Sequence, residues 1–187
     1  MALKTTLSVA LVSLVMSGGG LATSGAADST LGLFLQQEAR KKKVEWPTGW
    51  VSDFPAVDFS GSWRFDAGHS DPMLEVWRGR QISYRIDQQP SHIVLEFVVE
   101  GGHTSTQTYR WDGTVHRYEK GMTQVEEIAR WTGAGRILEV AGHRWPLNTP
   151  DRVESYTFRY QVAADVLSFS QVNDTGTTVW KFVRSRS

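Results

Sequence analysis

The side chains able to move protons or hold a metal are few and scattered. His69, His92, His103, His116 and His143 are the only imidazoles, and no two have the close spacing of a preformed metal site, so no metal is expected. The absence of cysteine excludes thiolate zinc, iron–sulfur clusters and a disulfide framework. No Gly-x-Ser-x-Gly elbow, phosphate loop or dinucleotide fingerprint appears, and no cofactor is expected. What remains is acid–base chemistry between residues that a strand would place on one side: His116 with Tyr118, and Glu127 with Ala129 and Trp131, since residues two apart on a strand share a face. A His–Glu–Tyr cluster in a dry cavity would have shifted pKa values and could transfer protons. Glu126 and Glu127 are neighbours and would face opposite sides, which prevents their acting as a carboxylate pair.

The second resource is aromatic. Eight Trp, five Tyr and eight Phe occur in 187 residues, and such side chains fill cores, line ligand cavities and form platforms for sugars. Trp111, Trp131 and Trp145 are candidate rim or lumen groups. Charge offers less: 20 basic residues balance 20 acidic ones, leaving no global field to gather nucleic acid, and no nucleic-acid partner is expected.

These side chains need elements to position them. Lys4 precedes the short apolar run Thr5 to Met16, then come Gly18-Gly19-Gly20 and Ser24-Gly25-Ala26-Ala27-Asp28. This is the three-part pattern of a secretory signal, cut after Ala26 or Ala27, and the run is too short to span a bilayer, which takes about 20 residues. Residues 1–27 are therefore expected to be removed, leaving a periplasmic or secreted protein with no membrane span; without cysteine it is not a lipoprotein. Residues 28–57 read as a short helix over Ser29 to Lys43, with Leu31, Phe34 and Leu35 on one stripe and a basic, solvated end, followed by an aromatic arm carrying Trp46 and Trp50. Arm aromatics of this kind are expected to pack on the domain behind them.

From Asp58 onward the texture is that of an antiparallel sheet. Ile82 to Ile86 and Ile93 to Val99 alternate apolar and polar positions around Asp87-Gln88-Gln89-Pro90-Ser91, a hairpin pattern. It recurs in His103 to Trp111, Val115 to Glu119, Thr123 to Trp131, Arg136 to His143, Arg152 to Tyr160, Leu167 to Val172 and Thr177 to Arg184, after a first run Phe59 to Phe65. Ser70 to Trp77 suits one or two helical turns, with Asp71 as cap and Pro72 at the first position. A sheet of this length has two edges to dispose of, and an up-and-down barrel of about eight to ten strands removes both. Thr104 to Thr108 and Val125 to Arg130 lack a fully apolar face, which a barrel with a wet lumen tolerates and a dry sandwich does not.

The segment Asp58-Phe59-Ser60-Gly61-Ser62-Trp63-Arg64-Phe65 resembles the first-strand Gly-x-Trp signature of the lipocalin and fatty-acid-binding group of barrels. Trp111-Asp112-Gly113, Ala129-Arg130-Trp131-Thr132-Gly133 and Thr178-Val179-Trp180-Lys181-Phe182-Val183 are similar to bacterial secreted lipocalin-like proteins of unassigned function. The Thr-Asp-Tyr turn motif of many lipocalins is absent. The resemblance implies a lipocalin-like barrel over residues 58–187 in which Gly61 admits close packing, Trp63 plugs the closed end, and a basic side chain of the last strand, Arg184 before Lys181, crosses the indole. Its implied work is to hold a small, partly apolar molecule, with Tyr84, Tyr118, Glu127, Trp131, Tyr156 and Phe158 expected to line the lumen. Two other readings stay open: an enzyme using His116 or His143 with Glu127, and an interaction protein whose barrel is filled.

Overall fold

The computed structural model describes residues 44, 46, 50–77, 79–101, 103–146, 148–149 and 151–185. The signal sequence and the helix expected over Ser29 to Lys43 lie outside these residues. Ten strands follow one another: β1 (Gly61–Phe65), β2 (Ile82–Gln88), β3 (His92–Val99), β4 (His103–Arg110), β5 (His116–Lys120), β6 (Thr123–Thr132), β7 (Ile137–Pro146), β8 (Glu154–Ala163), β9 (Val166–Asn173) and β10 (Gly176–Arg184). The segment between β1 and β2 is a 3-10 helix over Pro72–Trp77, with the Asp71 carbonyl accepting from the Leu74 amide at 2.9 Å.

Each strand pairs antiparallel with the next in sequence except β4 with β5, which form the two edges, and β1 pairs with β10. The expectation that closure abolishes both edges is corrected here: the barrel keeps a seam. The turn between its two strands explains this. Asp112 Oδ1 accepts from the Thr114 amide at 3.0 Å and the Thr114 hydroxyl at 2.6 Å, and Gly113 takes a positive φ of 75°. The chain is thereby directed onto β6, where β5 finds its ladder from His116–Glu127 to Lys120–Thr123.

The inner face holds the core. Trp63, Phe59, Trp131, Leu138, Val140, Leu167 and Phe182 are fully buried, and Tyr84, Phe97, Phe169, Tyr160 and Phe182 form a web of rings with centroids 4.8–6.4 Å apart. Rings at such distances gain contact energy beyond their burial. Gly61, at φ 127°, sits against the Arg184 guanidinium, which lies 4.1 Å over the Trp63 ring and donates to the Ser60 carbonyl at 2.7 Å. Lys181 instead donates its amine to Ser168.

Burial on β6 extends to both faces over residues 124–129, and described arm residues reach the outer side, Trp50 at Arg130 and Trp46 at His143, which stands opposite Glu126. Strand β5 stops opposite Glu127, which leaves the far end of β6 without a ladder on that side. Arm residues take its place: the Trp131 amide donates to the Ser52 hydroxyl at 2.9 Å, and the Asp53 amide donates to the Trp131 carbonyl at 2.9 Å. Backbone groups that would otherwise be buried unpaired are thus satisfied. Trp50 lies 3.9 Å from the Arg130 guanidinium, and Arg130 in turn binds Glu139.

Candidate functional site

All five tyrosines of the chain are Tyr84, Tyr109, Tyr118, Tyr156 and Tyr160. Their strand parity places them on the inner face, and four of them, Tyr84, Tyr109, Tyr156 and Tyr160, are buried there. In their midst is Glu127, itself only 5% exposed. One Glu127 oxygen accepts from the Tyr118 hydroxyl at 2.6 Å and from the Gln107 amide at 3.2 Å, and the other accepts from the Tyr156 hydroxyl. Gln107 also donates to the Tyr118 oxygen at 2.9 Å. Since Gln107 belongs to β4, Tyr118 to β5 and Glu127 to β6, this network spans the seam that the backbone leaves open.

Register explains how Tyr156 reaches a carboxylate two strands away. Glu127, Gly142 and Tyr156 form one row across β6, β7 and β8. Gly142 has no side chain to obstruct the phenol; a Cβ there would stand 2.6 Å from Tyr156 Cε2 and nearer still to Cζ. The Arg144 guanidinium lies 4.5 Å from the ring centroid of Tyr156, an arrangement that a cation stabilises.

Burial governs the protonation of this cluster. Loss of water raises the Glu127 pKa, while the hydrogen bonds from Tyr118 and Tyr156 work against that rise. The Tyr118 and Tyr156 hydroxyls are pushed well up, first by burial and then by the Glu127 charge. Burial likewise raises Tyr84, Tyr109 and Tyr160. The tyrosines are therefore neutral donors at physiological pH.

A cavity of about 380 Å³ opens at the seam, with Gln107, Tyr109, His116, Tyr118, Glu127 and Ala129 on its walls and Arg110 and Arg117 at its mouth. His116 faces Asp112 at 3.1 Å and Thr114 at 3.2 Å, and Arg117 pairs with Glu126 on the outer side of β6. A second depression, about 340 Å³, lies beside Trp46, His143 and Tyr156. Among the described residues, no three His, Asp or Glu side chains gather to hold a metal, and no helix is long and apolar enough to cross a membrane.

The residues singled out from sequence divide accordingly. Tyr118 and Glu127 line the seam cavity, and Tyr156 binds Glu127 from behind. Tyr84 and Phe158 belong to the ring web, and Trp131 is packed between Phe59 and Trp111; none of the three borders the seam cavity. The pairing of His143 with Glu127 is corrected by register, because His143 stands opposite Glu126 and so faces outward, where its ring meets Trp46. Trp145 shares that outward face and is not a lumen group. Sequence reasoning missed Gln107 and Gly142. Their signals were present: a polar residue on a strand with no apolar face, and an isolated glycine inside a strand, which marks close approach by another group.

No protein-family model matches this sequence, and no curated protein matches it. Solved structures do match in fold. A secretary abundant heat soluble protein from Ramazzottius varieornatus superposes with a TM-score of 0.54 at 13% identity, covering 72% of this chain and 100% of that one. The REP1-NXSQ fatty acid transporter gives 0.52 at 9% identity, covering 71% and 99%. Fatty-acid-binding protein 1 of Echinococcus granulosus gives 0.50 at 9%, covering 68% and 98%. At these identities the likeness is one of fold: a ten-stranded, up-and-down barrel of the fatty-acid-binding type.

Proposed function

We propose that this chain is an exported, lipocalin-like carrier that holds a small, partly apolar molecule in the seam cavity. In this reading residues 1–27 are a cleaved signal, 28–57 a helix and arm, and 58–187 the binding domain, as in the bacterial secreted proteins it resembles. The observation that carries the reading is the cavity itself. Its volume falls within the roughly 300–1,000 Å³ range of small-molecule sites, and it combines tyrosine faces with a few fixed polar groups. The solved structures of like fold include a protein called a fatty acid transporter and one called a fatty-acid-binding protein, which agrees with a carrier.

His116 and Glu127 on one wall favour the enzyme as the second reading. Against it, Glu127 already accepts three hydrogen bonds from the chain, which take up most of the acceptor capacity of its two oxygens. A barrel filled throughout is a poorer account, because the ring web occupies the Trp63 end and leaves the seam side hollow.

Two measurements test the proposal. Native mass spectrometry of protein taken from the periplasmic fraction or the medium is expected to release a small molecule on unfolding, from a chain beginning at Ala27 or Asp28. Nile red, an uncharged polarity-sensitive dye, is expected to bind saturably. A protein that stays in the cytoplasm with its first 27 residues attached would overturn the exported part, and neither ligand nor dye would overturn the carrier.

A further inference from the structure

We infer that the seam cavity selects ligands whose polar end is uncharged, an alcohol or amide in preference to a carboxylate or an ammonium. This deepens the carrier reading and rests on it. The argument begins with which charges face the cavity and how each is already used.

Glu127 is the single acidic side chain on the cavity wall, and it sits one hydrogen bond behind the Tyr118 hydroxyl, at 2.6 Å. That hydroxyl has one hydrogen and gives it to Glu127, so a ligand carboxylate placed against it finds no donor and faces the Glu127 charge across roughly 5–6 Å in a partly dry site. At an effective dielectric of about 20, the repulsion corresponds to a weakening on the order of a hundredfold. Lys120 and Arg144 act on the Glu127 charge and lessen this repulsion, but neither borders the cavity. Arg117 is held by Glu126 on the outer side, Arg144 lies over the Tyr156 ring, and Arg110 is an exposed residue at the mouth. His116 is turned to Asp112.

An ammonium fares no better, because the carboxylate it would seek is already surrounded by the donors of Tyr118, Tyr156 and Gln107. Displacing them would leave buried phenols unpaired, at the desolvation cost of each. What remains for a ligand is neutral and accepts: the Tyr118 oxygen, whose one hydrogen goes to Glu127, the Tyr109 oxygen, whose hydrogen goes to Tyr160, and the Gln107 carbonyl, since the bonds of Gln107 to the network run through its nitrogen. These match an uncharged group that donates, the hydroxyl of an alcohol or the N–H of an amide.

Isothermal calorimetry of the full chain with octanol, octanoate and octylamine at neutral pH tests this. Octanol is expected to bind at least about tenfold more tightly than either ion. Acidifying the buffer until octanoic acid is protonated is expected to close its gap to octanol in the unmodified protein, and Glu127→Gln is expected to narrow it at neutral pH. The acid titration needs no variant and stands even where the substitution impairs folding. Octanoate binding as tightly as octanol, or octylamine binding best, overturns the inference while leaving a carrier. Saturable Nile red binding with none of the three probes overturns it likewise, and no binding of any probe, dye included, overturns the carrier as well.

Discussion

Replacing Gly142 by alanine isolates the contribution of the Tyr156–Glu127 bond. Gly142 does not adopt a left-handed backbone, so alanine is conformationally acceptable there and, in a strand, is favoured over glycine by about 0.5–1 kcal/mol. The added methyl, however, takes the space of the Tyr156 ring and must push the phenol off Glu127. A hydrogen bond to a charged group contributes about 1.5–3 kcal/mol, and both partners are buried. The net expectation is a loss of about 1–2 kcal/mol, or a fall in melting temperature of about 2–8 °C for a domain of this size. Urea unfolding followed by tryptophan fluorescence measures it. The decisive comparison is the same substitution in a Tyr156→Ala background, where the ring is gone: there Gly142→Ala is expected to be neutral or stabilising. An equal loss in both backgrounds, or no loss in the parent, would refute the claim that this glycine exists to admit the tyrosine.

Three further outcomes follow from the charges. Because burial raises the Glu127 pKa above its ordinary 4.5, its contribution is fully present below that value and declines as pH rises through the folded pKa; Glu127→Gln should remove this decline from the stability–pH curve. Glu139 behaves oppositely, since Arg130 and Arg159 outweigh its burial and hold its carboxyl below 4.5; its contribution is present above that value and lost on acidification, and Glu139→Gln should flatten the acid limb. Arg184→Met should lower stability by about 0.5–2 kcal/mol through loss of the cation over Trp63, with Trp63→Ala costing more by opening a cavity; an unchanged melting temperature for either would contradict the plug.

Most strands and turns were legible because the pattern has a period of two and the turns carry glycine. Gly133-Ala134-Gly135 all take positive φ between 56° and 76°, as a tight reversal requires. That His116 shares a face with Tyr118, and Glu127 with Ala129 and Trp131, followed from alternation alone. What parity within one strand cannot supply is register between strands: the length of the 133–136 turn decides whether His143 or Gly142 stands opposite Glu127, and a slip by one residue reverses the face. The seam was hidden for a related reason. The edge residues of β4 and β5 read like any others, and only the direction of the Asp112–Thr114 turn determines that they do not pair.

The seating of the arm also fixes an order of events. Ser52 is separated from its partner Trp131 by 79 residues, and Arg184 from the Ser60 carbonyl by 124. The arm and one side of β1 therefore wait for strands made much later. The arm cannot dock until β6 has been made, and β1, though paired with β2, gains its second neighbour only with β10; contacts so distant in sequence slow folding. A chain cut short before Gly176 would keep seven of its nine strand pairings yet leave Trp63 without the arginine that covers it.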